Sequence, residues 1–180
     1  MRELSLNVMD IAQNSITAKA SLVEIRELHD VENAILTLSV ADSGCGMTAE
    51  QVGKVQNPFY TTRTTREVGL GVPLFKMACD MTGGSFSLES APGKGTTVTA
   101  RFMTGHIDMT PVGDMAETIV LLIFSNPDID FIYEKKIGGK GYTLDTRELR
   151  EALGGEVSLS DLEVITWIRD YLAEQEMELQ

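Results

Sequence analysis

Residues 7–20 read NVMDIAQNSITAKA, and the apolar residues Leu4, Val8, Ile11 and Ala12 recur before and within them at helical spacing. The segment is expected to be a helix packed on a core. Asn7, Asp10 and Asn14 fall at i, i+3 and i+7, which brings them within roughly 60° of one another, in one polar stripe beside the apolar one. Asn and Asp weaken a helix interior, because their short side chains compete for backbone hydrogen bonds. Three of them on one stripe form either a solvated face or the wall of a site. The rest of the chain decides which.

Outward from this helix, SLVEIREL (21–28) and AILTLSVAD (34–42) are rich in β-branched and apolar residues with rough alternation, and are expected to be strands. A glycine turn, DSGCGM (42–47), precedes a short helix near TAEQVGKV (48–55). NPFYTTRTTREVGLG (57–71) lacks apolar periodicity and is long enough to act as a lid. A helix is expected from Val72 to Thr82, stopped by Gly83 and Gly84. SFSLES and TTVTARFM then form a hairpin through APGKG. This order predicts an α/β (α+β) fold, a two-layer sandwich of a mixed, mostly antiparallel sheet with helices on one face.

Near TGHIDMTPVGD the pattern resets, giving an expected domain over 1–104 and a small, mainly helical extension over 105–180. Three further helices each open with an N-cap residue and a Glu three positions on: Asp114/Glu117, Asp145/Glu148 and Ser160/Glu163. DFIYEKK and GYTLD around Gly138 and Gly139 suggest a small hairpin between the first two. Ile165, Trp167, Ile168 and Leu172 are available to dock the last helix.

The 180 residues carry a net charge of −12, unevenly spread. Residues 1–104 hold nine Lys and Arg against 11 Asp and Glu, whereas residues 105–180 hold six against 16. An acidic chain without a basic stripe argues against nucleic acid as a partner. The longest apolar run, Ile119–Phe124, is six residues, far below the roughly 20 that span a membrane, and no export signal opens the chain. The two cysteines, Cys45 and Cys79, have no metal or redox spacing. A cytoplasmic protein is expected.

Asp42 stands at a strand end, where its carboxylate can accept a hydrogen bond from an exocyclic amine such as that of adenine. Gly44 and Gly46 let the backbone turn sharply beside it. Gly69, Leu70 and Gly71 open a helix, whose free N–H groups and dipole suit phosphates.

Taken in order, these stretches resemble the nucleotide-binding elements of the GHKL superfamily, which includes gyrase, heat-shock chaperone, histidine kinase and mismatch-repair ATPases. DIAQNS (10–15) matches the N box, DSGCGM (42–47) the first glycine box, GLGVPL (69–74) the second and GKGTTV (93–98) the third. The resemblance covers about residues 1–103. It implies that Asn14 holds Mg²⁺ bridging the phosphates of ATP, a metal that takes few protein ligands. Asp10 occupies the position where hydrolysing relatives carry Glu. It acts either as the base toward water or as the group orienting a metal-bound water.

By the same resemblance Asp42 recognises adenine, and Gly44, Gly46 and Met47 shape the base pocket. Gly69, Leu70 and Gly71 meet the phosphates, and Thr97 supports adenine binding. Thr61, Thr62 and Arg63 of the lid, with Arg66 as the alternative arginine, reach toward the nucleotide. Lys19 stands where mismatch-repair relatives have glycine. Cys45 lies inside the adenine turn.

The resemblance implies an Mg·ATP-binding regulatory protein that phosphorylates or switches a protein partner. Three readings stay open: a kinase like the anti-sigma-factor kinases, an ATPase switch, and a nucleotide-gated binding module without turnover. A homodimer through the first helix is compatible with each. His29 and His106 do not sit on a helix preceding the N box, so the phosphoacceptor is expected on a partner.

Overall fold

A computed structural model describes residues 3–57 and 70–180. Helix α1 (Leu4–Thr17) buries Leu4, Val8, Ile11 and Ala12, as its periodicity predicts. It closes with Lys19 in the left-handed region, φ 59°. There Lys19 N–H reaches the Ile16 carbonyl at 2.9 Å and Ala20 N–H the Ser15 carbonyl at 3.1 Å. This pair of bonds is the Schellman ending.

Strands β1 (Leu22–Asp30) and β2 (Ile35–Asp42) form a hairpin. Helix α2 (Ala49–Val55) starts at Thr48, which exchanges hydrogen bonds with Gln51 in a capping box. Helix α3 (Gly71–Met81) leads into β3 (Ser85–Ser90) and β4 (Thr96–Met103). Helix α4 (Met115–Ser125), strands β5 (Asp130–Ile137) and β6 (Lys140–Asp145), and helices α5 (Thr146–Ala152) and α6 (Leu162–Leu179) follow.

The strands make one sheet in the order β3-β4-β2-β1-β5-β6. Every neighbouring pair is antiparallel except β1 and β5, which run parallel. Val23 and Ile25 of β1, Leu36, Leu38 and Val40 of β2, and Val98, Ala100 and Phe102 of β4 share a buried face. The alternate residues, among them Arg26, Thr37 and Arg101, lie on the opposite, more open side. Helices α1, α3, α4 and α6 cover the buried face, with Phe75 of α3 packed on Phe86 and Phe102. The expected mixed, mostly antiparallel sheet with helices on one face is what forms.

The hairpin expected in the C-terminal part is present, and it continues the main sheet. β5 lies beside β1 from Leu22↔Asp130 to His29↔Ile137, so the sheet does not break at residue 104. Three details differ from the sequence reading. Helix α6 is capped by Asp161 rather than Ser160, its carboxylate accepting from Glu163 N–H at 2.9 Å. Asp145 caps α5 through Arg147 N–H rather than through Glu148. Trp167 does not dock the last helix; it is 51% exposed and stacks on Tyr171, while Ile165, Ile168 and Leu172 are buried.

A polar cluster lies within the otherwise apolar layer. Glu27, 1% exposed, accepts from Tyr133 Oη at 2.7 Å, lies 2.7 Å from His29 Nε2 and 3.3 Å from Lys135 Nζ. Lys135 also donates to Glu176 of α6, which accepts from Tyr142 as well. Burial alone would raise the Glu27 carboxyl, but the His29 hydrogen bond, the Lys135 charge and the Tyr133 hydroxyl outweigh it and hold it below the usual range. Burial and the neighbouring Glu27 carboxylate push Tyr133 well above its ordinary value. The cluster ties α6 to the centre of the sheet.

Candidate functional site

Three contacts order the site along α1. At its C-terminal end the glycine turn abuts the helix: Cys45 N–H donates to the Ala18 carbonyl at 3.0 Å, and a Cβ on Gly44 would stand 2.9 Å from Ala18 Cβ. One turn back, Ser15 Oγ donates to Asp42 Oδ2 at 2.6 Å. Further back, Gly71 at the start of α3 presses on Asp10, where an added Cβ would lie 2.8 Å from that of Asp10. Asn14 is half-buried between the last two contacts. Asp10 is exposed, and partial burial raises its carboxyl above the ordinary value.

Asp42 ends β2 on the same sheet face as Val40. Gly44 N–H donates to its Oδ1 at 2.8 Å and Ser15 to its Oδ2. Each oxygen keeps a lone pair, so the carboxylate is fixed in place yet can accept one more donor.

The turn beyond it needs glycine. At Gly46, φ 69°, a Cβ would come within 1.9 Å of the Ala91 carbonyl oxygen, and at Gly95, φ 77°, within 1.9 Å of the Asp42 carbonyl oxygen. Backbone packs there directly on backbone. Ser90 joins the two loops: its Oγ accepts from Met47 N–H at 2.8 Å, donates to the Gly95 carbonyl at 2.9 Å and lies 2.9 Å from Thr96 Oγ1.

The structure thus brings Asp10, Asn14, Asp42, Gly44, Gly46, Met47 and Gly71 together, with Leu70 as the N-cap of α3, half-exposed and supplying no capping side chain. Thr97 is not brought in. Thr96 pairs with Asp42 and Thr97 with Ala41, so strand alternation puts Thr96 on the Asp42 face and Thr97 on the other. Thr61, Thr62, Arg63, Arg66 and Gly69 lie outside the described residues. The sequence reading missed Ser15, which stands beside Asn14 in DIAQNS, and missed Ser90 and Thr96. Ser90 carried no signal, since a lone serine at a strand end is commonplace.

Cys45 is exposed, and Cys79 is buried with its thiol pushed up to about 11, chiefly by that burial. Among the described residues no helix is long and apolar enough to cross a membrane.

Comparison with known proteins identifies the family of the N-terminal part. The family described as histidine kinase-, DNA gyrase B-, and HSP90-like ATPase matches residues 1–106. The chain belongs to that family, and its N-terminal part is a GHKL ATPase domain homologous to the ATP-binding domains of histidine kinases. The sensor histidine kinase ZraS of Klebsiella oxytoca is 35% identical over 100 residues, 55% of this chain and 21% of that protein. Sensor kinase CckA of Brucella abortus is 25% identical over 176 residues, 85% of this chain and 18% of that kinase. The chain therefore spans only about a fifth of these kinases. Among solved structures, the Aquifex aeolicus MutL ATPase domain complexed with ADP aligns with a TM-score of 0.51 at 17% identity, covering 86% of this chain and 70% of that one. That likeness concerns the fold.

Proposed function

We propose that the cleft along α1 binds Mg·ATP, and that the chain uses the nucleotide to phosphorylate or switch a protein partner. The observation that carries this reading is Asp42. It is a carboxylate held by Ser15 and Gly44 with acceptor capacity to spare, beside a turn that tolerates no side chain at Gly46 or Gly95. Such a group suits the exocyclic amine of adenine. One end of the cleft then takes the base, and the end where Asp10 meets the start of α3 takes the phosphates.

Asn14, between these ends, offers the amide oxygen for Mg²⁺. Among the described residues no group of three acidic, His or Cys side chains is placed to hold a metal. A cation here would be shared between Asn14, water and the phosphates. Bound Mg·ATP supplies a transferable terminal phosphoryl group. Asp10 stands at that end as the base, or as the group that orients a water. Thr61, Thr62, Arg63 and Gly69, outside the described residues, are assigned to the nucleotide by the resemblance of their motifs alone.

We read residues 1–104 as the nucleotide unit and 105–180 as an acidic extension built onto its sheet, offering surface to the partner. The protein acts in the cytoplasm, where ATP is available, alone or as a homodimer. A nucleotide-gated module without significant turnover is the second reading, favoured by Asp10, which is one methylene shorter than the Glu of hydrolysing relatives. Phosphate release and label transfer from γ-labelled ATP to lysate proteins, by wild type and Asp10→Asn, separate these. Turnover or transfer that Asp10→Asn loses while still binding ATP supports the enzyme. Tight binding with neither supports the module, and no binding overturns both.

A further inference from the structure

The outer face of α6 joins an exposed indole to a line of carboxylates. Glu163, Trp167, Asp170 and Glu174 follow at i, i+4, i+7 and i+11, which places them on one stripe of the helix. All four are exposed. Val164, Ile165, Ile168 and Leu172 are the residues that α6 buries. Leu162, Glu163, Thr166, Trp167 and Asp170 line one shallow, open depression.

Trp167 is fixed on one side and open on the other. Its ring stacks on that of Tyr171, 5.3 Å between centroids, and Tyr171 meets Tyr142 of β6 edge-on. Half of the tryptophan still faces solvent, and Leu162 beside it is 76% exposed. Among the described residues no Lys or Arg makes an ion pair with Glu163, Asp170 or Glu174. Arg169, the one cation of the helix, is committed to Glu117 of α4. Asp170 and Glu174, like charges one turn apart, cost the helix stability.

The sign of the face selects its occupant. Nucleic acid and an anionic lipid surface carry the same sign and are repelled. A symmetric contact with a second copy would set the face against itself, carboxylate to carboxylate. A cationic protein segment complements it. Guanidinium groups pair with the carboxylates, and one stacks on the open side of the indole, the aromatic ring that attracts cations best.

We propose that this face of α6 docks a basic segment of the partner protein, whose arginines meet Glu163, Asp170 and Glu174 at spacings of roughly 10 and 6 Å along the helix and cover Trp167. This rests on the reading that the extension offers surface to a protein partner, and not on the nucleotide.

The probe is a capped helical peptide of alanine, glutamine and arginine, with arginines one and two turns apart. Its control carries the neutral citrulline at every arginine. Trp167 is the single tryptophan of the chain, so its emission in the full-length wild type reports docking without any variant. A saturable change is expected with the arginine peptide and none with the control. By calorimetry, Trp167→Ala should weaken binding about ten-fold, and Glu163→Gln with Asp170→Asn roughly five- to ten-fold. Glu32→Gln with Glu89→Gln removes the same charge from exposed positions off α6 and should stay within about two-fold of wild type.

A peptide that does not bind, that binds without altering the emission, or that loses as much affinity to the second pair as to the first overturns the proposal. Calorimetry with Mg·ATP on the same wild type separates the two readings. Protein that binds ATP but not the peptide overturns this inference alone. Protein that docks the peptide at Trp167 but does not bind ATP overturns the nucleotide reading and supports the docking face.

Discussion

The hydroxyl of Ser15 donates a 2.6 Å hydrogen bond to Oδ2 of Asp42, tying the middle of α1 to the end of β2. Ser15 is buried and Asp42 partly so. The bond fixes the carboxylate before any ligand arrives, which lowers the cost of ordering it on binding. Ser15→Ala should cost about 1–2 kcal/mol of stability, the worth of a hydrogen bond to a charged group. It should also weaken ATP binding several-fold through a looser Asp42. Denaturant unfolding and calorimetry on the same preparation check both, and unchanged ATP affinity would show that Asp42 needs no anchor.

Thr96 and Thr97 make a paired test, since they are adjacent and alike but face opposite sides of the sheet. Thr96 Oγ1 lies 2.9 Å from Ser90 Oγ, and Ser90 holds the Met47 backbone. Thr96→Val should reduce nucleotide affinity about five-fold, the equivalent of ~1 kcal/mol. Thr97→Val should leave it unchanged. The reverse outcome would mean that the strand register near Asp42 differs from the one described.

This pair also shows what sequence can and cannot give. The stretches that resemble nucleotide-binding elements stood out in the sequence through distinctive residues, as Asp42 does beside Gly44 and Gly46. The choice between Thr96 and Thr97 did not, because a single step in register exchanges the faces and only the pairing with β2 fixes it. The pairing of β5 with β1 was hidden for a similar reason. It joins Leu22 to Asp130, and no local pattern encodes so distant a partner. Trp167 was expected among the residues that dock the last helix, but its ring stacks on Tyr171 at the surface. Asn7 was visible as part of the polar stripe, yet its burial was not.

Acid should weaken the protein through Glu27. The carboxyl is held below its ordinary value of 4.5 in the folded state. Its contribution is therefore complete above the unfolded value and is lost as pH falls through the lowered folded one. Glu27→Gln should be less stable than wild type by about 3 kcal/mol near neutral pH, since it leaves the Lys135 ammonium and Tyr133 hydroxyl imperfectly paired. That gap should narrow as pH drops below about 4.5 and the wild-type carboxyl takes up its proton. Melting curves at a series of pH values measure it; a gap independent of pH would remove the charge of Glu27 from the account.

Lys19 holds a backbone conformation that L side chains rarely adopt, φ 59°, at the end of α1. Glycine adopts it without strain, so Lys19→Gly should stabilise the protein by about 0.5–1 kcal/mol. Lys19 is exposed, and nucleotide affinity should not change. Denaturant midpoints for the two proteins decide this, and a destabilised variant would mean that the lysine side chain makes a contribution larger than its strain.

The most direct test of the central claim is the affinity of the full chain for Mg·ATP and Mg·GTP, set beside Asp42→Asn with its fold verified by circular dichroism. The account predicts saturable ATP binding, preferred over GTP, that falls by roughly thirty-fold or more in the variant, as loss of a hydrogen bond to a charged group would cause. Wild-type protein that fails to bind ATP, or a variant that binds it as tightly as wild type, would contradict the assignment of this cleft.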